Sequence, residues 1–150
     1  MRVVAYSDGS SRGNPGPGGF GAVLLYTDPA GQTHRRELSQ GYRRTTNNRM
    51  ELMGVISGLE ALKASCAVTL TTDSRYVVDS VTKGWVYGWK KKGWVKADKK
   101  PALNVDLWER MLPLLEKHNV TFVWVKGHAG HPENERCDAL AVAERTRFGR

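Results

Sequence analysis

Apolar and polar positions along the chain divide it into short strand-like runs and four stretches of helical spacing. Val3 to Ser10 reads as a strand, apolar and aromatic residues passing into small polar ones, and it stops where Asp8 and Gly9 meet. A loop rich in Gly and Pro, Gly13 to Gly19, leads to a second strand at Phe20 to Tyr26. After the turn Asp28-Pro29-Ala30-Gly31 comes a third, polar strand, Arg35 to Tyr42, suited to a sheet edge. Such short connections predict antiparallel pairing. Leu52, Val55, Ile56, Leu59 and Leu62 then recur at helical spacing behind the capping cluster Thr45 to Asn48. Val68 to Thr72 is β-branched and nearly continuous, which predicts a buried strand, and it ends at Asp73. Helical spacing returns from Ser74 to Val81. A further apolar helix carries Leu107, Trp108, Met111 and Leu115, with Asn104 as its cap and Pro113 expected to kink or shorten it. A fifth strand, Val120 to Val125, and a last helix, Glu133 to Arg145 with Pro132 at its start, complete the order.

The intervening helix is long enough for a crossover between Asp8's strand and Asp73's, so parallel neighbours would bring both carboxylates to one edge. Glu51 lies off the apolar stripe, and by itself it reads as the capping-box partner of Asn48. Asn134 and Asp138 share one face of the final helix. Hard oxygen ligands of this type suit Mg²⁺ that also meets phosphate oxygens. Two such ions about 3.5–4 Å apart can activate a water and stabilise a leaving oxygen. Carboxylates packed without a cation would repel and shift one another's pKa.

Composition changes the picture at one point. The 150 residues carry 40% apolar and 25% charged residues, globular values for one domain spanning 1–150. The net charge of +8 and pI near 9.7, however, imply a polyanionic partner. Much of that charge lies in residues 83–100, where Lys83, Lys90, Lys91, Lys92, Lys96, Lys99 and Lys100 are interleaved with Trp85, Tyr87, Trp89 and Trp94. A solvated helix with inward tryptophans is one reading; aromatic planes beside ammonium groups favour a surface that tracks a nucleic-acid backbone. No run reaches membrane-spanning length, and Met1-Arg2 leads straight into the first strand, so no membrane and no signal peptide are expected. Two cysteines, Cys66 and Cys137, are too few for a disulfide framework and fit a reduced, cytoplasmic protein. His128, His131 and Cys137 suggest part of a zinc set, but no fourth ligand is evident. Ser10 and Ser11 lack the strand-turn-helix setting of a hydrolase nucleophile.

Taken together, Ser7-Asp8-Gly9-Ser10, Gly13 to Gly19, Thr45 to Leu52, Thr72-Asp73-Ser74, the Trp85–Trp94 segment and Lys126 to Asp138 resemble bacterial type 1 ribonuclease H, block by block over essentially the whole chain. The resemblance implies a five-stranded mixed sheet of order 3-2-1-4-5 with helices on both faces. It also implies an endonuclease that cuts the RNA strand of RNA–DNA hybrids, leaving 5′-phosphate and 3′-hydroxyl ends. Asp8, Glu51, Asp73 and Asp138 would then hold two Mg²⁺ ions, with Mn²⁺ as an alternative. Asp8 would bridge the pair, Asp138 would serve the ion that activates water, and Glu51 and Asp73 would serve the leaving group. His128 would assist proton transfer or product release. Asn14, Asn47 and Asn48 would read ribose 2′-hydroxyls, and Arg44, Thr46 and Asn104 would grip a DNA phosphate. Tyr76, Trp85 and Trp89 would line the DNA channel, and Lys90, Lys91 and Lys92 belong to the basic protrusion. Backbone readout implies no strong sequence preference, and a monomer is the expected state. Arg75, beside the Asp-Ser pair, departs from the family pattern, as does Pro113. The competing readings are a binding protein that has lost its chemistry and a relative that acts on DNA.

Overall fold

Parallel pairing of the first and fourth strands organises the molecule. In the computed structural model, which describes residues 1–127 and 130–149, β1 (Arg2–Ser11) runs beside β4 (Ala67–Thr72) with Tyr6 opposite Thr71. Two residues further on in each chain stand Asp8 and Asp73, so both strands deliver a carboxylate to the same edge. β2 (Gly16–Thr27) and β3 (Thr33–Thr45) add antiparallel neighbours on one side, and β5 (Asn119–Trp124) pairs in parallel with β4 on the other. The order is β3-β2-β1-β4-β5. β3 closes the sheet as an outer strand and carries exposed Arg35, Arg36, Arg43 and Arg44.

Helices cover both faces. On one, α1 (Asn47–Glu60) buries Leu52, Val55, Ile56 and Leu59 against Val3, Ala5, Val68 and Leu70. α2 (Arg75–Thr82), α3 (Trp85–Lys91) and α4 (Val105–Lys117) extend the same core through Val77, Val86, Trp108 and Met111. On the other, α5 (Pro132–Phe148) crosses β2, where Gly19 and Gly21 let it come close: a Cβ on Gly21 would lie 2.5 Å from the Cys137 carbonyl oxygen. Arg136 grips Glu37 of β3 at 2.8 and 2.9 Å, and Arg35 reaches Glu133 at 2.7 Å.

Several local expectations need correction. β4 is not wholly buried: Val68, Leu70 and Thr72 face the core while Ala67 and Thr69 are exposed, because α5 covers the β2 side. α1 ends at Glu60, so Leu62 packs from beyond it. Asn104 precedes α4 with a left-handed backbone (φ 62°) and makes no side-chain cap. Pro113 does not shorten α4, which runs through it to Lys117. Both Pro113 and Glu109, whose carbonyl loses its N–H partner, are exposed, and water can take that acceptor. Of residues 83–100, only Trp85–Lys91 is helical. The tryptophans divide: Trp89 and Trp94 pack on the core, whereas Trp85 and Tyr87 stay exposed. Among the described residues no helix is long and apolar enough to cross a membrane.

Candidate active site

α1 begins two residues earlier than a capping box between Asn48 and Glu51 would require. Its N-cap is Thr46, whose hydroxyl accepts from the Arg49 N–H at 3.2 Å. Glu51 is therefore the fifth helical residue, too far along to cap, and the capping-box reading falls. Instead its side chain is buried, 6% exposed, with Oε2 unpartnered. Gly9 makes this possible, since a Cβ there would sit 2.4 Å from the Glu51 nitrogen. The bare strand lets the helix lower its first turns onto the end of β1.

Ligand oxygens of Asp8, Glu51 and Asp73 all lie within 4.8 Å of one another. Asp8 Oδ1 accepts from the Gly9 N–H at 2.9 Å. Asp73 is pinned through its backbone, its carbonyl accepting from Trp124 Nε1 at 3.0 Å. The next residue, Ser74, caps α2 by accepting from the Val77 N–H at 3.2 Å. Asp138 enters from α5 and lines one pocket with Asp8, Asp73, Lys126, Gly127 and Asn134. Gly127 clears the way for Asp73, as a Cβ on it would lie 2.7 Å from Asp73 Oδ2. Burial first, then the charge of Asp73, pushes the Asp8 carboxyl up to about 8; Asp138 adds to the rise and the Gly9 N–H opposes it. Glu51 is raised well above the carboxylate range by burial, then by Asp8 and Asp73. Crowded acids, one with an orphaned buried oxygen, are the donor set of a divalent cation and fit the expected metal.

Beside this cluster runs a groove of about 680 Å³ lined by Ser11, Asn14, Thr46, Asn47, Asn48, Leu103 and Asn104. Asn14 Oδ1 accepts from the Asn47 N–H at 2.9 Å, which leaves the Asn14 amide nitrogen as the outward donor. Arg44 is exposed near the end of β3. Tyr76 packs against Trp108, ring centroids 5.8 Å apart, and Trp89 meets the same indole edge-on at 6.5 Å. Trp85 stands in solvent with Lys83 Nζ 5.4 Å from its ring. Lys90, Lys91 and Lys92 are exposed at the end of α3. His128 lies outside the described residues. Cys137 is fully buried and burial pushes its thiol up to about 12; among the described residues the acidic trio Asp8, Glu51 and Asp73 gathers ligand atoms, and no group containing Cys137 does. Sequence reasoning gave no role to Arg49, Lys126 or Trp124, and gave Asn134 only a shared helix face. Trp124 carried no signal, since its contact is to a backbone carbonyl.

Residues 1–146 match the family model RNase H. The chain belongs to the RNase H family. Two ribonuclease H relatives illustrate the likeness. The protein from Desulforamulus reducens is 61% identical over 141 residues, 94% of this chain and 86% of its own. That from Aeromonas salmonicida is 57% identical over 139 residues, 93% and 86% of the two chains. Among solved structures, LC9-RNase H1, a type 1 RNase H, aligns with a TM-score of 0.87 at 38% identity, covering 98% of this chain and 73% of that one. LC11-RNase H1, solved with an RNA/DNA hybrid, has a TM-score of 0.69 at 26% identity and covers 97% of each chain. As a family member the chain is a metal-dependent ribonuclease H.

Proposed function

We propose that this chain hydrolyses the RNA strand of RNA–DNA hybrids at Asp8, Glu51, Asp73 and Asp138, leaving 5′-phosphate and 3′-hydroxyl ends, with two Mg²⁺ ions as cofactors. The observation that carries this is the convergence of three acidic oxygens within 4.8 Å in an RNase H family chain, with one of them buried and unpartnered. When bound, divalent ions supply an activated water and charge stabilisation at the leaving oxygen. The chain's own residues do the rest. Asn14, Asn47 and Asn48 present polar groups along the groove, where ribose 2′-hydroxyls distinguish RNA from DNA. Arg44, Thr46 and Asn104 hold a DNA phosphate; Tyr76, Trp85 and Trp89 flank that strand, and Lys90, Lys91 and Lys92 add backbone attraction. His128 exchanges a proton near product. One chain carries the carboxylates and the groove together, in keeping with a monomer, and two free buried cysteines fit the cytoplasm.

Asp8→Asn should lower hybrid cleavage by about a thousandfold or more while hybrid affinity persists. An intact labelled hybrid after incubation of the unaltered protein with Mg²⁺ refutes the reading, and cleavage of duplex DNA instead points to a DNA-acting relative. The same substitution should also raise the metal-free melting temperature. Folded Asp8 keeps its proton up to about pH 8, whereas the unfolded side chain releases it near the ordinary aspartate value of 3.8. Stability therefore falls as pH rises between those values. The variant's advantage should grow from pH 5 to pH 8.

A further inference from the structure

On α5, Arg145 follows Asp138 after two turns of helix, so both side chains stand on the face turned to the sheet. Beneath them on β1, Asp8 and Ser10 are alternate residues and share one face of the strand. The two elements match pair by pair: Asp138 lines one pocket with Asp8, and Arg145 Nη1 donates to Ser10 Oγ at 2.6 Å. The strand step is about 6.6 Å and the helix step about 10.5 Å. The long arginine stem makes up the difference, because helical side chains lean back toward the N-terminus. Close seating of α5 helps: a Cβ on Gly19, which pairs with Ser10, would lie 3.0 Å from the Arg145 nitrogen.

This arginine is not accounted for by the usual surface roles. A cation in the last turn of a helix complements the carbonyls there, but Arg145 reaches away from them to β1. Elsewhere on α5, Arg136 is held by Glu37 and Arg147 by Glu144, whereas among the described residues Arg145 has no carboxylate partner. Its acceptor is a neutral hydroxyl that occupies a single N–H. Nε is buried without a partner, and Nη2, with no hydrogen bond among the described residues, stays open to solvent. A half-buried guanidinium is thus fixed beside the carboxylates with its charge unneutralised.

We infer that Arg145 binds the phosphodiester of the RNA strand next to the one being cut. The inference rests on the hybrid-cleaving reading above and adds a residue and a contact to it. Ser10 stands between Asp8 and Ser11, where the groove begins, so a strand lying on both must pass the guanidinium. The step from Asp8 to Ser10, about 6.6 Å, is close to one nucleotide of backbone. A planar cation with an open N–H edge suits phosphate oxygens, and every nucleotide offers them, so the contact carries position and not base identity.

The test uses protein carrying Asp8→Asn, so that the hybrid survives, and a short hybrid that the unaltered protein cuts at one mapped bond. A single methylphosphonate is moved stepwise along either strand. In the RNA strand it follows one deoxynucleotide, and the reference is the same deoxynucleotide with an ordinary linkage. Affinity is read by fluorescence anisotropy. At one RNA-strand position adjoining the mapped bond, the neutral linkage should weaken binding about tenfold. Adding Arg145→Met, which keeps an apolar stem, should weaken the unmodified hybrid similarly and abolish sensitivity at that position alone. It should also lower the salt slope of binding by about one unit. Equal sensitivity of both proteins at every position overturns the proposal, as does a difference confined to the DNA strand. Folding is checked by thermal unfolding: a purely structural tie would lower the melting temperature and leave the sensitivity intact. If Arg145→Met does not fold, Ser10→Ala decides. That change releases the guanidinium from β1 but keeps its charge, so the position-specific effect should shrink severalfold. An unchanged effect overturns the proposal. If the Asp8→Asn protein does not bind the unmodified hybrid at all, the nuclease reading fails and this inference falls with it.

Discussion

α1 and α5 each bring one carboxylate to the same place, and they are held there by different physics. α1 is sunk in the core, burying Met50 through Ile56 without a break. α5 buries only Cys137 and Ala141, lying on glycines of β2 and tied to β3 by Arg136–Glu37 and Arg35–Glu133. Glu51 thus arrives fixed and desolvated, whereas Asp138 rides on a helix seated by close backbone approach and exposed ion pairs. One wall of the site is set by the fold; the other is set by how closely α5 sits.

Three substitutions sharpen or break that contrast. The largest effect is expected from Gly21→Ala. The added Cβ would meet the Cys137 carbonyl at 2.5 Å and Leu140 Cβ at 2.6 Å, both on α5. Stability should fall by about 1–3 kcal/mol, as for other overpacked sites. Turnover should fall while hybrid affinity changes little, because Asp138 moves and the groove does not. Unchanged turnover in a destabilised variant would mean that α5's seating does not govern Asp138. Next is the same exchange under α1. A Cβ on Gly58 meets Leu24 Cδ2 at 3.6 Å and Ala22 Cβ at 4.0 Å, ordinary contacts. Gly58→Ala should therefore stabilise the protein by about 0.5–1 kcal/mol in urea unfolding, through helix propensity. The smallest effect belongs to Glu37→Gln. It should lower the melting temperature slightly at low salt, and the difference should vanish near ~1 M salt, because exposed ion pairs are screened.

Sequence patterning reached the antiparallel pairing of the first three strands and the coincidence of Asp8 with Asp73, because these follow from short loops, strand ends and a crossover; the full strand order came from the family resemblance. It misplaced Glu51 because capping boxes and buried acids look alike until the N-cap is known, and here the cap moved to Thr46. It mistook Asn104 for a side-chain cap because nothing in the letters shows a left-handed backbone. Pro113 misled because the cost of a proline depends on whether the freed carbonyl sees water, a tertiary property. The basic segment was legible in composition, but which tryptophans turn inward was not; Trp108, from a distant helix, decides that for Trp89.

β3 has one further consequence. Its free side offers a row of backbone donors and acceptors on which another strand could template itself, the usual starting point for runaway aggregation. Arg35, Arg36, Arg43 and Arg44 stand along that margin, so two copies meeting edge to edge would bring cation against cation before any ladder closed. Arginines spread along an outermost strand thus guard solubility, whatever else they touch.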